Sequence, residues 1–174
     1  MATGKSSVGR MLAIRLGLEF VDTDQVVECR RGKPIATIFA EEGEACFRVA
    51  EREAVADAAG RSGAVIATGG GSLGDPENAA ALRAAGPIIC LTATPEAILS
   101  RIGRAESRPL LAGKEEPLDA IRALLEARRP IYAPADLLLY TSDRTIEEVV
   151  EEICAALPSL WSESRTTSSS DPES

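Results

Sequence analysis

The chain has 174 residues, 45% of them apolar and 26% charged, with a net charge of −8 and no histidine. That length and balance suit one soluble globular domain with its own core, and the acidity argues against general binding to nucleic acid or to acidic membranes. Without histidine there is no Ser–His or Cys–His nucleophile pair, no histidine base and no histidine-ligated metal, so catalysis falls to carboxylates, Lys, Arg, backbone amides or a ligand-borne metal.

Residues 7–16 place Val8, Met11, Leu12 and Leu16 on one helical face, and Gly17 stops that helix. Residues 18–22 read as a short buried strand. Two short helices follow at 25–31 and 34–42, split at Gly32–Pro34. A longer helix spans 44–59, with Phe47, Ala50, Ala54 and Ala58 inward. The second strand, 64–68, runs into three glycines. A helix at 76–85 leads to a third strand at 87–92, and Pro95 opens a helix to about Gly103. Residues 104–117 have no apolar period and read as a mobile loop. A helix at 117–129, a fourth strand at 137–140 and a helix at 145–156 close the domain. The serine-rich end, 158–174, reads as a disordered tail. Strands that alternate with helices and are apolar nearly throughout predict an α/β fold: a parallel sheet with helices on both faces. No apolar run approaches membrane-spanning length. Cys29, Cys46, Cys90 and Cys154 are widely spaced and read as free, mostly buried thiols in a reducing cytoplasm.

Ligands of such sheets bind at the carboxyl ends of the strands, where the polar clusters of this chain fall. Thr3–Ser7 reads Thr-Gly-Lys-Ser-Ser and opens a helix, matching the back half of a phosphate-binding loop. Amides at the helix start face phosphate oxygens, Lys5 reaches the outer phosphates, and Ser6 offers its hydroxyl to Mg²⁺. A bare helix start with a chance lysine has the same letters. The basic, acid-free first 18 residues also have the composition of a transit peptide, but the motif assigns them to a first helix. Asp22 and Asp24 share one side of an extended segment, suited to a metal water and a substrate hydroxyl, or to capping a helix. Arg48 and Glu51 are neighbours on a helix: a surface ion pair, or a guanidinium held rigid to grip a carboxylate. Gly69, Gly70 and Gly71 make either a tight turn or a bed of amides for an anionic or hydroxylated ligand. Arg101, Arg104 and Arg108 lead into Arg108-Pro-Leu-Leu, either a solvated loop or a lid over transferred phosphate. Arg128 and Arg129, before Pro130-Ile-Tyr132, either complement a helix dipole or supply a second arginine for an acidic substrate.

In this order, GKSSVGR (4–10), FVDTD (20–24), the Ile38–Glu51 stretch, ATGGG (67–71), RPLL (108–111) and R-x-P-x-Y (128–132) resemble the shikimate kinases over about residues 1–155. The resemblance implies a P-loop kinase fold and ATP-dependent phosphorylation of the shikimate 3-hydroxyl, toward chorismate and aromatic amino acids. It implies ATP and Mg²⁺ as cofactors and shikimate as partner substrate. It also implies a cytoplasmic monomer that binds neither nucleic acid nor membrane. By position it makes Asp24 the base, with Lys5 and Arg108 the other catalytic groups. It puts Gly4, Lys5, Ser6, Ser7, Arg101, Arg108 and Arg144 at the nucleotide and Ser6 and Asp22 at the metal. Asp24, Arg48, Gly69, Gly70, Gly71 and Arg128 fall at shikimate. The domain spans 1–157, with a lid at about 104–117.

The amino end departs from the family pattern. The first glycine of the loop and the strand before it, which lies at the sheet's centre in the family, are missing ahead of Met1. The expectation is that Met1 is an internal methionine of the loop, taken as a start in a shortened reading frame. Two alternatives remain, a truncated inactive nucleotide-binding remnant and a gluconate-kinase-like small-molecule kinase.

Overall fold

Gly4, at φ 87° and ψ 13°, turns the chain into the first helix, α1 (Lys5–Leu16). This left-handed conformation is open to glycine at little cost. The computed structural model describes residues 2–102, 117–133 and 135–166. After α1 come β1 (Glu19–Asp22), α2 (Thr23–Arg31), α3 (Ile35–Glu41), α4 (Gly43–Ala59) and β2 (Ala64–Ala67). A short 3₁₀ turn (Ser72–Gly74) precedes α5 (Pro76–Ala85), β3 (Ile89–Thr92) and α6 (Pro95–Ile102). The chain then forms α7 (Pro117–Tyr132), β4 (Leu137–Tyr140) and α8 (Ile146–Thr166). The strand–helix alternation is the predicted one, with boundaries shifted by a few residues. Residues 103–116, with Arg104, Arg108 and most of the expected lid, lie outside the described residues.

The strands form two parallel pairs, β1–β2 and β3–β4, which agrees with the expected α/β fold of parallel strands covered by helices and lacking its central strand. In one, Glu19 faces Ala64 and Asp22 faces Ala67. In the other, Ile89 faces Leu137 and Thr92 faces Tyr140. An apolar cleft of about 280 Å³ lies between β2 and β3, lined by Val65, Ile66, Ile89 and Leu91 of the strands. Val8, Leu12 and Leu16 of α1 and Ile153, Leu157 and Trp161 of α8 also line it. Leu16, expected inside, is 39% exposed because its face looks into this opening.

The main core joins Val8 and Leu12 to Leu91, Leu139, Val149, Val150 and Ile153. A second cluster, Val27, Ile38, Phe47, Ala50 and Ala54, binds α2, α3 and α4 into one unit. Ala93, Ile98 and Ile121 pack α6 against α7. Two further expectations need correcting. α8 continues through Pro158 to Thr166, so the boundary expected at 157/158 falls inside a helix. Trp161 accounts for the extension: a Cβ at Gly86 would lie 3.2 Å from its ring, so this side chain covers the turn that leads into β3. The four cysteines are free, yet only Cys90 is buried; Cys29 is exposed on a helix and Cys46 and Cys154 are half-buried.

Candidate active site

The amino end of α1 has no side-chain cap, so its first amides point outward past Gly4. Thr3 just before it is buried, and its hydroxyl has no hydrogen-bond partner among the described residues. The loop is anchored from behind: the Thr141 hydroxyl donates to the Thr3 carbonyl at 3.1 Å. Arg101 Nη1 donates to the Ala2 carbonyl at 3.3 Å and to Thr141 Oγ1 at 2.9 Å, and its Nη2 donates to the Thr141 carbonyl at 2.6 Å. Arg101 thus clamps the phosphate-type loop to the end of β4. Arg144, also assigned to the nucleotide, pairs with Glu152 at 2.6 Å and donates to the Glu148 carbonyl at 3.1 Å. Ser7 sits exposed on the first turn of α1.

Asp22 ends β1 and caps α2, with Oδ1 accepting from the amides of Asp24 at 3.1 Å and Gln25 at 3.4 Å. Its other oxygen accepts from the Ser6 hydroxyl at 2.7 Å. Asp22 thus caps α2 with one oxygen and meets the Ser6 hydroxyl with the other. A hard cation takes oxygen ligands and keeps several waters. Ser6 Oγ and Asp22 Oδ2, adjacent on the exposed side of the loop, are a donor set of that kind.

Asp24 points from α2 toward the glycine turn after β2. A Cβ on Gly69 would lie 2.9 Å from Asp24 Oδ1 and 3.0 Å from Glu51 Oε1, so glycine is what lets both carboxylates approach the backbone. Burial pushes the Asp24 carboxyl up to about 6, helped by the charges of Asp22 and Glu51 and opposed by Lys5. A carboxylate so placed is a competent proton acceptor near neutral pH.

Glu51 is 1% exposed, and Arg48 Nη1 reaches it at 2.7 Å. On its outer side Arg48 donates to Glu44 at 2.9 and 3.2 Å. The pair is thus no surface ion pair: Glu51 is a buried anchor, and Arg48 is gripped from two sides. A Cβ on Gly71 would lie 3.5 Å from both terminal nitrogens of Arg48 and 3.9 Å from Arg128 Nη2. Between Arg128 and Arg129, the structure brings Arg128 to the site. A Cβ on Gly70 would meet Arg128 Nη1 at 2.6 Å, whereas Arg129 is 79% exposed and pairs loosely with Glu126 at 3.7 Å. Lys5, Gly69, Gly70, Arg128 and Tyr132 line one cavity of about 50 Å³.

Two contributors escaped the residue-by-residue reading. Tyr132 donates to the Gly70 carbonyl at 2.5 Å. Its spacing from Arg128, one helical turn on, was the available signal. Arg52 pairs with Asp75 at 2.9 Å and ties α4 to the segment after the glycine turn, a long-range link that no local spacing announces. The arrangement unites a phosphate-type loop, a poised carboxylate and two guanidiniums flanking a bare backbone turn.

Known proteins match this chain in sequence and in fold. The family model described as shikimate kinase matches residues 1–158. A shikimate kinase of Caldanaerobacter subterraneus subsp. tengcongensis is 47% identical over 156 residues, covering 90% of this chain and 91% of its own. A solved shikimate kinase from Acinetobacter baumannii, in complex with shikimate, superposes with a TM-score of 0.85 at 35% identity, covering 91% of this chain and 89% of that one. A gluconokinase from Sinorhizobium meliloti 1021 shares the fold at a TM-score of 0.57 and 18% identity, over 97% of this chain and 93% of its own. With a family match over nearly its whole length and close relatives covered almost end to end, the chain belongs to the shikimate kinase family.

Proposed function

We propose that this chain transfers the terminal phosphoryl group of ATP to the 3-hydroxyl of shikimate, giving 3-phosphoshikimate and ADP. The observation that carries the reading is the convergence on Gly69–Gly71 of Asp24, Arg48 and Arg128, beside Lys5 of the loop. Shikimate is a carboxylate with vicinal hydroxyls. Two guanidiniums suit the acid, and a buried aspartate suits a hydroxyl. Arg48, held by Glu51, grips the acid group in a fixed orientation. Asp24 accepts the proton from the hydroxyl as its oxygen turns nucleophilic. Lys5 and the amides at the start of α1 take the charge of the outer phosphates, aided by the helix dipole. Phosphoryl transfer depends on positioning and charge stabilisation more than on covalent catalysis, so a chain without histidine can perform it.

Ser6 and Asp22 are the residues that would hold Mg²⁺, and when bound the ion supplies charge neutralisation across the phosphates. Arg108 belongs to the proposal as the lid arginine that reaches the transferring group, and Arg101, Arg144, Gly4 and Ser7 as the nucleotide side. Arg101 serves it at least through the loop it clamps. The four free thiols support a reducing, cytoplasmic setting. No helix among the described residues is long and apolar enough to cross a membrane. We place the enzyme in the cytoplasm as a monomer.

A coupled ADP-release assay with ATP, Mg²⁺ and either shikimate or gluconate tests the reading. Shikimate-dependent release is expected, with none from gluconate, and Asp24→Asn or Lys5→Met lowers kcat by about 10²-fold or more. Gluconate turnover, or near-unchanged rates in either variant, would overturn the assigned roles.

A further inference from the structure

The two arginines at the glycine turn are held in chemically different ways. Arg48 is gripped by two carboxylates, Glu51 and Glu44. Among the described residues no carboxylate pairs with Arg128. Its neighbour on the same helix face is Tyr132, one turn further along α7. The Tyr132 hydroxyl donates to the Gly70 carbonyl at 2.5 Å. A Cβ on Gly70 would touch both groups, Arg128 Nη1 at 2.6 Å and Tyr132 Oη at 3.5 Å. Burial pushes the Tyr132 hydroxyl above its ordinary value, with the nearby Arg128 charge acting the other way, so the phenol remains a neutral donor at physiological pH.

We propose that Tyr132 is a positioning residue for substrate binding: a neutral strut that fixes the Gly70 carbonyl and, through that contact, the place of Arg128. The proposal rests on the reading that Arg128 meets the acid group of shikimate. A carboxylate partner would hold Arg128 equally firmly but would spend much of its charge. A phenol restrains geometry and leaves the full positive charge to the ligand. The two clamps then divide the work. Glu51 makes Arg48 a rigid, partly neutralised donor fork, while Tyr132 holds Arg128 as a charge that no carboxylate among the described residues compensates, free to select an anion. The same hydroxyl ties the turn after β2 to α7, so the turn and the second arginine form one unit.

The test uses Tyr132→Phe, which keeps the ring and removes the hydroxyl. Binding of shikimate and of its neutral carboxamide is measured by calorimetry, and backbone amide exchange is followed in the free protein. The expected result is about tenfold weaker binding of the acid, with carboxamide binding within about twofold of the parent. In the assay, KM for shikimate rises while kcat and KM for ATP hold. Exchange at Gly70 and Gly71 accelerates, and exchange in β1 and β2 does not. In an Arg128→Lys background, Tyr132→Phe adds nothing further to the loss for the acid. An equal loss for acid and carboxamide, full additivity with Arg128→Lys, or acceleration spread over the whole chain would overturn the proposal. Should the parent chain fail to bind shikimate, the functional reading falls. The exchange at Gly70 and Gly71 still decides the strut, since unchanged exchange in Tyr132→Phe removes it.

Discussion

Asp24 holds its proton more tightly in the folded chain than in the unfolded one. Its ordinary value is 3.8, and burial among Asp22 and Glu51 raises it to about 6. Between those values the folded state binds more protons than the unfolded state, so stability falls as pH rises from about 4 to about 6. Above that window the ionised group stands at its full cost, on the order of 3 kcal/mol. Asp24→Asn should therefore raise the melting temperature of the ligand-free protein at pH 7.5 and leave it nearly unchanged at pH 3.5. Calorimetry at the two pH values checks this, and an equal gain at both would count against the burial account. The same substitution abolishes the proposed proton transfer, so the residue trades stability for chemistry. Glu51 presents the complementary case. Arg48→Ala leaves a buried carboxylate without its cation and should cost about 2 kcal/mol or more, whereas the paired change Arg48→Met with Glu51→Gln should cost less than the sum of its parts. Urea unfolding of the parent, Arg48→Met, Glu51→Gln and the double variant measures that coupling, and Arg48→Ala alongside gives the single loss.

At the scale of elements, the turn after β2 carries three glycines for reasons that differ by position. Gly69 faces Asp24 and the immobile Glu51, so an added methyl has nowhere to go. Gly70 faces the far end of Arg128, a long side chain that an added methyl would displace from its place at the turn without touching the core. Gly69→Ala should lower thermal stability markedly. Gly70→Ala should leave the melting temperature almost unchanged and weaken shikimate binding several-fold, on the order of 1 kcal/mol. Parallel melting curves and shikimate titrations distinguish the two. The glycine run itself was legible in the chain, as were the helix faces of 44–59 and the aspartate pair. What each glycine accommodates was not, because the groups it meets come from α2, α4 and α7. The helical extension past Pro158 was hidden for a similar reason: a serine-rich composition spoke for a tail, and only Trp161 over Gly86 shows what holds it.

At the scale of the whole molecule, the cleft between β2 and β3 dominates. Each pair has one edge toward an opening whose walls are apolar above and below. Unpaired edge groups cost about 1–3 kcal/mol each when shielded from water. A strand apolar on both faces would pair with both edges and fill the opening. An apolar β-branched peptide supplied in trans should therefore stabilise the protein by about 3 kcal/mol or more. It should also slow amide exchange at residues 64–67 and 89–92 together. Unchanged exchange at those strands would show that the opening does not take a strand. The strand order around the opening also explains why a chain with split sheets keeps its site. Asp22, Gly69 and Thr141 are each placed at a strand's carboxyl end by pairing within one half, and Arg101 fastens the loop to the other half.

By itself the sequence determined the strand–helix alternation, the loop at residues 3–7, the candidate aspartates and arginines and the absence of histidine chemistry. Those features are written in local spacing and residue type, which need no knowledge of distant neighbours. Only the tertiary structure decided that Glu51 is a buried anchor, that Arg101 clamps the loop and that Tyr132 braces Gly70. It also decided which side chains wall the cleft between β2 and β3. These are consequences of burial and of contacts between segments far apart in the chain. The environment that sets a charge, a clamp or a close approach exists only once those segments have packed.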